Sequence, residues 1–111
     1  MKNFIQEGKT LTLTAPYQVA SGDGLLVGSI FGVASNDAAN GAEVEAVTEG
    51  VFSLKKTSAQ AWTVGALIYW DNTNKECTTT VGSNKLIGTA AAVASNPSGT
   101  GLVRLNGAFI S

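Results

Sequence analysis

No histidine occurs in this 111-residue chain, and cysteine and arginine occur once each, as Cys77 and Arg104. The missing imidazole removes Ser-His-Asp and Cys-His nucleophile activation, zinc sites built on histidine, and imidazole acid–base catalysis. An enzyme would have to run on carboxylates or lysine. A single cysteine cannot close an intrachain disulfide. With no histidine or cation cluster nearby to stabilise a thiolate, Cys77 is expected to be a small buried strand residue. Charged residues make up only 14% of the chain and the net charge is −1. That leaves no electrostatic footprint for a phosphate backbone, so nucleic acid is not an expected partner. Long apolar runs are missing too: none approaches the about eighteen residues of a membrane span. The first residues also lack the basic segment and apolar stretch of a secretory signal. The expectation is a chain made and kept in a cytoplasm, with no membrane partner, unless something larger carries it out.

What is present is turn chemistry at short intervals. Thirteen glycines and two prolines accompany abundant Thr, Val and Ala, which suggests a single all-β domain of short antiparallel strands, a small β-barrel or β-sandwich. Thr10-Leu11-Thr12-Leu13-Thr14 alternates hydroxyl and aliphatic side chains, as a strand with one buried face does. Tyr17 to Ala20 reads as a short edge piece before the turn Ser21-Gly22-Asp23-Gly24. Leu25 to Ala34 is almost continuously apolar and reads as one strand that bends at Gly28 and Gly32. Asn40-Gly41 is a hairpin signal. In AEVEAVTEGVFSLKK the even positions Val44, Ala46, Gly50, Phe52 and Leu54 are apolar or small, while Glu43, Glu45, Glu49, Ser53 and Lys55 share the odd parity. One face is core and the other wet. Val47 and Val51 interrupt the wet face, so part of it is expected to be covered by a partner. Thr57 to Trp62 reads as a loop with at most one helical turn capped by Ser58. Val64 to Trp70 is apolar at both parities, which predicts a strand covered on both sides. Lys75–Val81, Leu86–Ala94 and Leu102–Leu105 complete the strands. The end, Ala108-Phe109-Ile110, is apolar enough to be docked.

The chemical motifs reduce to structure. Gly8-Lys9-Thr10 carries the last letters of a phosphate-binding loop, but the first glycine of that motif falls on Asn3 and no helix follows. Glu43 and Glu45 stand at i, i+2 on a strand, about 7 Å apart. An exposed row of glutamates gives both the same environment and so cannot split their pKa values into an acid and a base. Asp71, Asn72 and Asn74 fail the calcium-loop pattern after its first letters. Trp62, Tyr69 and Trp70 are candidates for a sugar platform, yet Tyr69 and Trp70 lie on opposite faces of one strand, and core or interface packing suits the pair better. No metal or cofactor is expected, and the chain does not read as an enzyme. Phe4 and Ile5 are large apolar residues in a segment, residues 1–7, too short to form its own sheet. It is expected to be an N-terminal arm on the domain of residues 8–111, gaining its backbone hydrogen bonds at an exposed sheet edge of a partner with Phe4 as the anchor; the alternative is that Phe4 caps its own domain's core.

The segments KNFIQEGKTLTLTAPY, EGVFSLKK, AWTVGALIYWD and GLVRLNGAF resemble, in order and over essentially the whole chain, a family of small tailed-phage and prophage capsid cement, or decoration, proteins. The resemblance lies in the whole pattern and transfers no active-site residue. It implies a compact β-barrel or sandwich that forms a homo-oligomer, a trimer in preference to a dimer. That oligomer would clamp neighbouring major capsid protein subunits on the outside of the phage head. Phe4, Ile5, Val47 and Val51 are the expected contacts with the capsid or between subunits. The alternative from the residues is a small β-sandwich that binds carbohydrate or a cell surface through Trp62 and its neighbours.

Overall fold

The computed structural model of the protein describes residues 9–107. Phe4, Ile5 and the rest of the expected arm, and the apolar end 108–111, lie outside the described residues. Among the described residues, nine strands form two antiparallel sheets. The first sheet holds β1 (Thr10–Thr14), β2 (Gly24–Val27), β3 (Ile30–Ala34) and β4 (Glu43–Val47), in the order β1-β4-β3-β2. The second holds β5 (Glu49–Lys55), β6 (Leu67–Asp71), β7 (Glu76–Thr78), β8 (Lys85–Ala90) and β9 (Thr100–Asn106), in the order β5-β9-β8-β6-β7. The fold is all-β, with one sheet curled into a half-barrel. The second sheet curls far enough for its two edges to touch: Lys56, just past β5, bridges Cys77 of β7, and the Thr57 amide donates to the Cys77 carbonyl at 2.9 Å.

Two cores result. The larger one gathers Leu54, Trp62, Ile68, Trp70, Cys77, Ile87, Val103 and Leu105 inside the curled sheet, closed by Phe31 and Val33 from the first sheet. The Phe31 and Trp70 rings lie 4.9 Å apart, within the range of favourable tilted aromatic pairs. The smaller core, with Ala15, Val19, Leu25, Ala34, Ala38, Val44 and Ala46, lies on the opposite face of the first sheet under the loops that follow β1 and β3.

Several expectations are corrected. Leu25 to Ala34 is not one bent strand but a β2–β3 hairpin turned at Gly28-Ser29, with Gly28 at φ +58°. Glycine at the first turn position supplies the left-handed conformation that two-residue hairpins require. The segment 43–55 is two strands in different sheets, broken at Thr48. Ser58 caps no helix, for Ser58 and Ala59 form a turn. The segment 64–70 yields only the strand Leu67–Asp71, and it is covered on one side: Ile68 and Trp70 are buried while Leu67 is 52% exposed. The Thr-rich strand is shorter than expected, Glu76–Thr78.

Candidate binding face

The outer face of the five-stranded sheet gathers apolar side chains that nothing in the described residues covers. Alternation in β9 buries Gly101, Val103 and Leu105 and exposes Thr100, Leu102, Arg104 and Asn106. Register carries that face across the sheet. Val51 pairs with Arg104, Arg104 with Thr89, and Thr89 with Leu67, one row through four strands. Leu102 pairs with Ser53 and Leu86 with Tyr69. Val51, Leu67, Leu102 and Leu86 are 54%, 52%, 40% and 36% exposed, four of the seven large exposed hydrophobics among the described residues. The other three, Val64, Val81 and Val93, lie outside the strands. Such grouping on one face differs from the scattered single aliphatics of an ordinary surface. Arg104 stands amid them, and its guanidinium forms no ion pair with any described residue. At one margin, Ser53, Ala92, Val93, Ser98, Thr100 and Leu102 line a shallow trough of about 280 Å³.

The sheet beneath is closely packed. Trp62 is buried and stacked so closely on Gly101 that a Cβ there would lie 2.3 Å from its ring. Its backbone bridges Ala94, with the Trp62 amide donating to the Ala94 carbonyl at 2.9 Å. Its indole Nε1 is buried without a hydrogen-bond partner. Lys56, also buried, turns its ammonium inward to donate to the carbonyls of Thr57 (2.8 Å), Ser98 (3.2 Å) and Ser58 (3.4 Å). Three carbonyl acceptors compensate a cation that burial would otherwise penalise. Gly88 admits the backbone of β9: a Cβ at this position would lie 2.2 Å from the Arg104 carbonyl.

Other candidates fall into place around this face. Lys9 is exposed, and its carbonyl accepts the Thr48 amide at 2.7 Å and the Thr48 hydroxyl at 3.1 Å. Glu45 accepts a 2.6 Å hydrogen bond from Thr12 on an exposed strand pair, and Glu43 is likewise in water. The Asp71 carboxylate accepts the amides of Thr73 and Asn74 and the Asn74 side chain, which hold its pKa below the ordinary carboxylate value. Those bonds make it a turn residue. Among the described residues no group of three or more His, Cys, Asp or Glu could hold a metal. Burial pushes the Cys77 thiol up to about 12. A cleft of about 290 Å³ between the sheets is lined by Tyr17, Asp23, Gly24, Lys55, Trp70 and Lys75. Lys75, with φ +56°, holds its ammonium 4.3 Å from the centre of the Tyr17 ring while bonding Asn72, so this turn clasps the two sheets together.

Of the expected contact residues, Val51 lies on the apolar face. Val47 is half-buried beside Val33, which belongs to the larger core. Leu67 was missed as a contact because apolar residues at both parities of 64–70 read as a doubly covered strand, and Leu86 and Leu102 because their segments read as strands with neither face assigned. Trp62 presents no ring to solvent and so offers no sugar platform.

A sequence model of the phage cement protein family matches residues 5–105 of the 111. The chain belongs to the phage cement protein family. Its role is therefore a structural one in the phage, and its place is the capsid. No curated protein and no solved structure matches the chain.

Proposed function

We propose that the outer face of the five-stranded sheet is the surface by which this cement protein seats on major capsid subunits, on the outside of the phage head. The observation that carries the reading is the clustering of Val51, Leu67, Leu86 and Leu102 on one sheet face around Arg104. Burying an aliphatic side chain contributes about 1.5–3 kcal/mol, so one such face gives a modest contact. A homo-oligomer, a trimer in preference to a dimer, multiplies it through effective concentration and stabilises the intact lattice over separated subunits. Val47, at the margin of the first sheet, and Phe4 and Ile5, from the segment that joins the body at Lys9, complete the proposed contact set. The protein carries no catalysis, is made in the bacterial host cytoplasm, and adds to heads from outside. Co-sedimentation with phage heads tests this: the protein should pellet with heads and Leu102→Asp should stay in the supernatant. Pelleting of that variant at the native level would overturn the reading. Light scattering on the free protein reads the oligomer, and a monomer mass at micromolar concentration would remove that part.

A further inference from the structure

The only arginine of the chain stands at the centre of the apolar row. Arg104 is exposed on β9, opposite Val51 on one side and Thr89 on the other, with Leu67 beyond Thr89 and Leu102 two residues along its own strand. An arginine stem lies readily on apolar surface, but its guanidinium keeps its hydration only while the face is wet. Covering Val51, Leu67 and Leu102 with a partner strips that water from Arg104 as well.

The face supplies no anion to compensate it. Among the described residues the one ion pair joins Lys55 to Glu76 at 3.9 Å, and the other Glu76 oxygen accepts the Thr57 hydroxyl at 2.6 Å. Glu49 is the acid nearest in register, on the β5 position diagonal to Arg104. Its side chain lies along Gly107 instead, where an added Cβ would meet its Cγ at 2.8 Å and its Oε1 at 2.9 Å. Gly107 follows Asn106, the register partner of Glu49, so this carboxylate is held on the side away from Arg104. The Arg104 guanidinium thus has no hydrogen-bond or ion-pair partner among the described residues.

A desolvated cation is strongly penalised unless its partner carries the opposite charge and fills its donors. Carbonyls suffice for Lys56, whose three donors are met by its own loops. A guanidinium differs: five donors in a rigid plane match the two oxygens of one carboxylate. Arginines ringed by residues that exclude water are among those that dominate interfaces. We propose that Arg104 grips an Asp or Glu side chain of the major capsid subunit, with Val51, Leu67 and Leu102 as the ring that keeps water from the pair. The inference rests on the reading that this face meets the capsid. It adds what the capsid must present there: a carboxylate projecting from an otherwise apolar patch.

Co-sedimentation with heads that lack the protein tests it, with and without prior amidation of the head carboxylates by a carbodiimide and glycinamide. Arg104→Met keeps an apolar stem and removes the charge. It should bind untreated heads roughly thirtyfold or more weaker than the native chain, while an unchanged urea midpoint reports an intact fold. Amidation should weaken the native protein to a similar degree and change Arg104→Met little, because in that variant the pair is already broken. Leu67→Ser, a neutral change on the same row, should lose affinity on treated and untreated heads alike and so reports the face itself. Native binding by both variants would overturn the capsid-facing reading. Loss in Leu67→Ser with native binding by Arg104→Met would overturn the carboxylate alone. So would equal weakening of the native and Arg104→Met chains by amidation, since the acids blocked would then act elsewhere than on Arg104.

Discussion

The exposed faces of the two sheets differ in kind although both come from alternating strands. On the first sheet, Thr10, Thr12 and Thr14 of β1 stand exposed, with Glu43 and Glu45 on β4, and the one cross-strand contact described there is a hydrogen bond from Thr12 to Glu45. On the second, Val51, Leu67, Leu86 and Leu102 take the corresponding positions. Their interiors differ as well: alanines and valines under the first sheet, two tryptophans and larger aliphatics within the second. Water can solvate the first face at no cost, whereas the second keeps an unspent hydrophobic term that only a partner can use. A core of alanines and valines lies with the solvated surface, and an aromatic-rich core lies beneath the apolar one.

The most severe way to break this contrast is to remove the support under the second face. Trp62→Ala should cost about 3–5 kcal/mol of stability, as large-to-small changes at buried aromatics do, read from the midpoint of urea unfolding. Head association should then fail because the sheet itself is loosened. A sharper test leaves the core alone. Leu102→Asp should weaken head association about tenfold or more, near 1.4 kcal/mol, while unfolding stability shifts by no more than about 0.5 kcal/mol. Thr12→Asp, the equivalent change on the first sheet, should leave head association unaltered, and equal losses from both would erase the distinction between the faces.

Alkaline pH probes both interiors at once. Burial, reinforced by Asp23 and opposed by a hydrogen bond at Leu26, pushes Tyr17 from 10.0 up to about 12, and burial pushes Cys77 from 9.0 up to about 12. The folded chain therefore holds these protons where the unfolded chain has released them. Stability from the Cys77 thiol is full below about pH 9 and from Tyr17 below about pH 10, and both contributions fall as the pH rises toward 12. Unfolding midpoints measured across pH 8–12 should decline from about pH 9, and Cys77 should resist thiol reagents until the chain unfolds. The smallest effects belong to the solvated side. Lys9→Ala and Glu45→Gln should each change stability by less than about 0.5 kcal/mol and head association not at all.

How much of this was legible depended on the range of the cause. β1, β9 and a turn at Asn40-Gly41 could be read directly because alternation and turn chemistry act over a few residues, although that turn lies within the long β3–β4 connection and is not a tight hairpin. Val51 stood out because it interrupts a polar parity. Leu67, Leu86 and Leu102 did not, because an apolar run has the same composition whether its second side meets a core or a capsid. The β2–β3 hairpin was hidden for a related reason: Gly28-Ser29 lies within an unbroken apolar stretch, with no polar residues beyond the turn itself to mark it.

The sequence by itself determined that this is an all-β chain, that catalysis built on histidine is out of reach, and that turns fall at its glycine and asparagine pairs. Each follows from residue chemistry or from contacts between near neighbours. Only the tertiary structure decided that Glu43–Lys55 serves two sheets, that Lys56 and Trp62 are interior, and which apolar face is left open. A period of two separates the faces of a strand but carries no information on what lies against either. That is settled by the break at Thr48–Gly50, where the core-facing parity changes and the chain passes from one sheet to the other.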